Sequence, residues 1–147
     1  MAEQQSYLYL GLAGETGPGR PVDAGLFRLA DGDREWQPVQ RGLPEMPAVR
    51  ALAVHPTNPS IIYAGTQFGP YRSADRGEHW EKVELPDHGL PVWSVLFHPH
   101  DPDVILIGCE NSEIYRSDPI MVSPGNRVIW SLENQLGLSS YRIAAAK

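Results

Sequence analysis

Short apolar runs recur along this chain at a nearly fixed spacing, each followed by a cluster of turn residues. Val49-Arg50-Ala51-Leu52-Ala53-Val54-His55-Pro56 and Val92-Trp93-Ser94-Val95-Leu96-Phe97-His98-Pro99 align without gaps 43 residues apart. A polar turn with a second proline follows each, at Asn58-Pro59 and Asp101-Pro102. A second run comes next, Ile61-Ile62-Tyr63-Ala64-Gly65 and Val104-Ile105-Leu106-Ile107-Gly108, and Tyr7-Leu8-Tyr9-Leu10-Gly11 is its counterpart near the start. The third run is Gly25-Leu26-Phe27-Arg28, Gly69-Pro70-Tyr71-Arg72 and Glu113-Ile114-Tyr115-Arg116. A tryptophan opens the fourth, at Trp36, Trp80 and Trp130, spaced by 44 and then 50 residues because six extra residues enter around 121–127.

Each unit therefore holds four short runs rich in β-branched and aromatic residues, bounded by Pro, Gly, Asn and Asp, which read as strands A to D. The first run is apolar on both faces (Val49, Ala51 and Ala53 against Leu52 and Val54), as expected of a strand covered on both sides. Four strands per period of about 40–50 residues predict an all-β chain of four-stranded antiparallel β-propeller blades. The expected blades are 7–48, 49–91 and 92–140, with 141–147 a closing strand, in the order BCD-ABCD-ABCD-A.

Composition narrows the reading. Of 147 residues, 14 are glycine and 14 proline, a load that excludes a helical bundle. Twelve basic against 18 acidic side chains give a net charge of −6, which speaks against nucleic acid or an anionic membrane as the main partner. Cys109 is the single cysteine, so no internal disulfide framework and no CxxC or CxxH metal pair is expected. No apolar run approaches the roughly 20 residues that span a bilayer, and the first residues lack the pattern of a signal peptide. The expectation is a soluble cytoplasmic protein without cofactor or metal.

Ser73-Ala74-Asp75-Arg76-Gly77-Glu78-His79-Trp80 matches S-x-D-x-G-x-x-W and resembles the Asp-box of BNR-repeat β-propellers, a group that includes sialidase-like, xyloglucanase-like and sortilin-like propellers. The resemblance spans essentially the whole chain and implies architecture rather than a particular function. Copy one keeps Asp31 and Trp36, with Leu29 in place of the serine and Asp33 in place of the glycine. Copy three keeps Ser117 and Trp130, with Asp118 one position early and Pro119 where the aspartate would be. In the full box, Gly77 can take the positive φ of the tip, and Ser73 and Asp75 can bond local backbone. Trp80 offers a large apolar surface to pin the hairpin to its blade. The resemblance places such boxes at the periphery, so Asp75 reads as structural.

Ligand sites of propellers usually lie over the channel mouth, on the face of the D-to-A and B-to-C connections. At the head of strand A stand Arg50, Trp93 and, by alignment, Arg142. Two guanidinium groups suit a carboxylate or phosphate and an indole suits a sugar or peptide ring, while the competing reading is salt bridging and packing between blades. The B-to-C connections bring Glu15, Gln67, Phe68, Glu110 and Asn111. His55 and His98, equivalent and each before a proline, read as turn residues rather than metal ligands. The expected function is a non-catalytic binding or scaffold module for a small anionic or carbohydrate-like ligand or a peptide. The alternative is a glycoside hydrolase or a fragment of one, which needs two facing carboxylates. An inert fragment is the third reading.

Closed propellers take about four to eight blades, and three in one chain would not close without strain. Two chains could complete six blades by self-association, each lending its strand at 141–146 to the partner. The rival reading is the front part of a longer propeller, which the ending Ala144-Ala145-Ala146-Lys147, inside a strand, favours.

Overall fold

The computed structural model describes residues 4–14, 24–85, 90–123 and 127–132, from residue 118 onward by backbone alone. The described residues are all-β and form three antiparallel sheets, none of which closes on itself. The first holds β1 (Tyr7–Ala13), β2 (Ala24–Ala30) and β3 (Gln37–Pro38). The second holds β4 (Ala51–Val54), β5 (Ile62–Thr66), β6 (Gly69–Ser73) and β7 (Glu81–Lys82). The third holds β8 (Val92–Phe97), β9 (Ile105–Cys109), β10 (Glu113–Ser123) and β11 (Arg127–Leu132). Every sheet is a meander whose strands pair in chain order. Among the described residues no helix is long and apolar enough to cross a membrane. The expected closing strand at 141–147 lies outside the described residues.

The hydrogen-bond register reproduces the sequence repeat. Ala51 pairs Gly65 and Val54 pairs Ile62, while Ser94 pairs Gly108 and Phe97 pairs Ile105, the same ladder moved by 43 residues. Gly11 faces Leu26, Gly65 faces Pro70 and Gly108 faces Ile114 between the next two strands. In the outermost pair Arg28 faces Gln37, Arg72 faces Glu81 and Arg116 faces Ser131. Ser117 still pairs Trp130 despite the six extra residues, which lengthen the third hairpin beyond that point and are absorbed at a register shift between Asp118 and Val122.

Alternation along the strands gives each sheet two apolar faces, here called front and back. The front of the second sheet (Ile62, Ala64, Tyr71, with Trp80 beside it) packs on Leu26, Val39 and Tyr9 from the back of the first. The front of the third (Ile105, Ile107, Tyr115) packs on Tyr63, Ala53 and Val83 from the back of the second. Two stacked interfaces thus repeat the same positions. Glycine permits the close approach at each, because a Cβ on Gly11 would fall 2.6 Å from Val49 Cγ1 and one on Gly65 would fall 2.5 Å from Val92 Cγ1.

Candidate functional site

In a meander the connections between first and second strands lie at one end of the sheet with those between third and fourth. The remaining connections gather at the opposite end, where Arg50, Trp93, Gln67 and Glu110 fall. At that end the Arg50 N–H donates to the Gly65 carbonyl at 2.9 Å, fixing the head of β4 on β5. At the head of β8 the register jumps from Val92–Cys109 to Ser94–Gly108, which leaves Trp93 unpaired. Such a bulge redirects a side chain out of the ladder. The Trp93 indole is accordingly 54 % exposed. The Arg50 guanidinium carbon sits 4.4 Å from the centre of that ring. At that distance a cation–π attraction holds the guanidinium over the ring. Arg50 is itself exposed, and among the described residues it forms no ion pair.

Gln67 and Glu110 are repeat-equivalent and perform one task by different groups. The Gln67 side-chain oxygen accepts from Ala48 N–H at 2.8 Å and its amide nitrogen donates to the Met46 carbonyl at 3.1 Å. Glu110 ties the corresponding linker with its backbone, donating its N–H to the Pro91 carbonyl at 2.9 Å, and its side chain stays exposed. It opens a 3-10 turn over Glu110–Ser112 in which Asn111 takes a positive φ of 62°. Arg142 and Glu15 lie outside the described residues, so the structure brings together Arg50 and Trp93 of the expected cluster.

The box segment lies at the other end. Ser73, buried, donates to Asp75 Oδ1 at 2.8 Å and accepts from Gly77 N–H at 2.8 Å. Asp75 accepts from His79 N–H at 2.9 Å, and His79 Nδ1 lies 2.7 Å from its second oxygen. Slight burial would raise the Asp75 pKa, but the bonds from the His79 amide, the His79 ring and Ser73 outweigh it and bring it down to about 2. Gly77 has φ 90° and Arg76, which the sequence did not mark, has φ 60°. Trp80 does more than pin its own hairpin. Its Nε1–H is shared between the Gly77 carbonyl at 3.1 Å and the Val39 carbonyl of the preceding unit at 2.9 Å. Its backbone N–H donates to Arg41 O at 2.8 Å. Arg28 adds a 2.7 Å ion pair to Glu78 and a 3.0 Å bond to the Arg76 carbonyl. The box is therefore a suture between neighbouring sheets.

The degenerate copies differ as their residues require. Copy one closes with a tight turn in which Asp33 N–H donates to Ala30 O and Gly32 takes φ 90°, leaving Asp31 exposed. In copy three the fully buried Ser117 hydroxyl accepts from Ile105 N–H at 2.8 Å, and β10 runs on past it. His55 Nδ1 accepts from Thr57 and Asn58 amides, and His98 Nδ1 from His100 and Asp101 amides, so both rings cap their turns. A cleft of about 260 Å³ at the box end, lined by Gln4, Gln5, Tyr7, Tyr9 and Arg76 among others, was not visible in the sequence. Its walls come from segments some 70 residues apart, and only the alternation Tyr7-Leu8-Tyr9 hinted at a shared face. Compared with protein-family models and with curated proteins, the chain matches none.

Proposed function

We propose that this chain is a non-catalytic binding module, its three sheets being consecutive wedges of a BNR-type β-propeller and its ligand face the end that carries Arg50 and Trp93. The observation that carries this reading is the exposed indole placed on a bulge with a guanidinium stacked over it at 4.4 Å. A large aromatic surface held outside the core offers stacking to a sugar or peptide ring, and the adjacent N–H edge offers two parallel bonds to a carboxylate. A small ligand combining both features, such as a sugar acid or the end of a peptide, fits the pair. The box end serves a different purpose. Asp75 is drawn downward in pKa by its bonds, the opposite of what a glycosidase acid needs.

The test is a tryptophan-fluorescence titration with glucuronic acid and with a short peptide bearing a free carboxylate. Saturable change that is lost in both Trp93→Ala and Arg50→Ala is the expected result. A response to neither probe, or one that survives both substitutions, removes the reading. Release of chromophore from aryl glycosides would replace it by the hydrolase alternative.

A further inference from the structure

The two sheet-to-sheet interfaces fix what a front face is for. In the second sheet Ile62 and Ala64 are 0 % exposed and Trp80 is 3 % exposed, all against the first sheet. The repeat-equivalent residues of the first sheet are Leu8, Leu10 and Trp36, and they are 63 %, 40 % and 42 % exposed. Large apolar groups on one exposed sheet face mark an interaction surface. The same sheet has three strands where its neighbours have four, so among the described residues β1 stands at an open edge. Among the described residues Trp36 lacks what Trp80 has, a preceding sheet offering a carbonyl to its Nε1–H.

Both existing interfaces seat a front face on the back face of the preceding sheet. The complementary back face at the far side of the stack belongs to the third sheet. There Leu96 and Leu106 take the places of Ala53 and Tyr63, and Ile114 that of Pro70, and all three are half-buried. The three sheets among the described residues fall short of the about four to eight wedges that make a turn, so by themselves they do not bring the third sheet round to the first. We infer that the open front of the first sheet, Leu8, Leu10 and Trp36, docks the back of the third sheet of a second copy of this chain, around Leu96, Leu106 and Ile114. The arrangement is reciprocal, so two copies join through two identical interfaces and complete six wedges about a two-fold axis. The inference rests on the wedge reading of the three sheets and is independent of the ligand.

Light scattering on the native chain at tens of micromolar should give twice the 16.3 kDa chain mass. Among the described residues Leu8 and Leu10 belong to neither buried cluster, so Leu8→Lys and Leu10→Lys should each halve that mass and leave the circular dichroism unchanged. A native mass of one chain overturns the inference, as does a dimer that neither substitution splits or a ladder of masses above two. The wedge reading is judged separately by Gly65→Val. Unchanged melting of that variant removes the wedge reading itself, whereas loss of stability with a failed dimer test removes only the docking.

Discussion

Gly65 on β5 lies so close to Val92 at the head of β8 that a single added carbon would come 2.5 Å from Val92 Cγ1, with the Ala51 Cβ 3.1 Å away on the other side. Gly65 is not among the glycines with positive φ, so the requirement is space rather than backbone freedom. The neighbours are the side chains of the fully buried Val92 and of Ala51, short groups fixed close to their backbones with little room to yield. Gly65→Ala should destabilise by about 1–3 kcal/mol as an overpacked site. Val92→Ala in the same chain should recover part of that loss, which urea unfolding of the two single variants and the double variant will show.

Trp80 and Trp36 occupy the same place in successive units and should respond differently to the same change. Trp80→Ala empties a buried site and leaves the Val39 carbonyl without its 2.9 Å donor, so a loss of about 3–5 kcal/mol is expected. Trp36 has no sheet in front of it among the described residues. In a Leu8→Lys background, where chains are kept apart, Trp36→Ala should cost less than about 1 kcal/mol. Equal losses in denaturant unfolding would show that the tryptophan stabilises its own hairpin and not the neighbouring sheet.

The contrast between these two tryptophans marks what the sequence could and could not disclose. The 43-residue offset between Val49 and Val92 carried directly into the ladders, because side-chain alternation locks register wherever both faces are covered. Ser117 and Trp130 were recognisable as box positions, whereas their pairing emerges in the structure, where the extra residues fall beyond that pair. The destination of the Trp80 indole was not, because it depends on how one sheet stacks on the next, and strand pattern carries no signal for that. The bulge at Trp93 was likewise hidden. Its aligned partner is Arg50, and nothing in the two side chains announces that they will stack. The positive φ of Arg76 has no sequence signal of its own, because Gly77 beside it already explains a tip.

The Asp75 cluster gives the chain an acid-sensitive element. Its folded-state pKa of about 2 lies below the ordinary value of 3.8, so the unfolded chain takes up this proton first as pH falls. The stabilisation is fully present above about pH 4 and is lost as pH drops through about 2. Because the carboxylate is 44 % exposed, the gain is screened and should stay under about 1 kcal/mol. Urea midpoints taken at pH 4 and pH 2 should fall more in the native protein than in Asp75→Asn, whose side chain does not titrate. Identical falls in the two proteins would place the acid sensitivity elsewhere.

Gln67 and Glu110 offer the last comparison, because position alone would give them the same role. Gln67 spends both ends of its amide on the linker, one on Ala48 N–H and one on the Met46 carbonyl. Removing it leaves two backbone groups to find other partners, and Gln67→Ala should cost about 1–2 kcal/mol, near the net value of two hydrogen bonds. Glu110 makes the corresponding tie through its own N–H to Pro91 O, which truncation to alanine leaves in place. Glu110→Ala should therefore stay within about 0.5 kcal/mol of the native protein. If thermal unfolding ranks the two variants this way, Gln67 belongs to the frame that shapes the end carrying Arg50 and Trp93. The exposed Glu110 carboxylate then stays outside that frame. The reverse ranking would put the Glu110 side chain in the frame and Gln67 outside it.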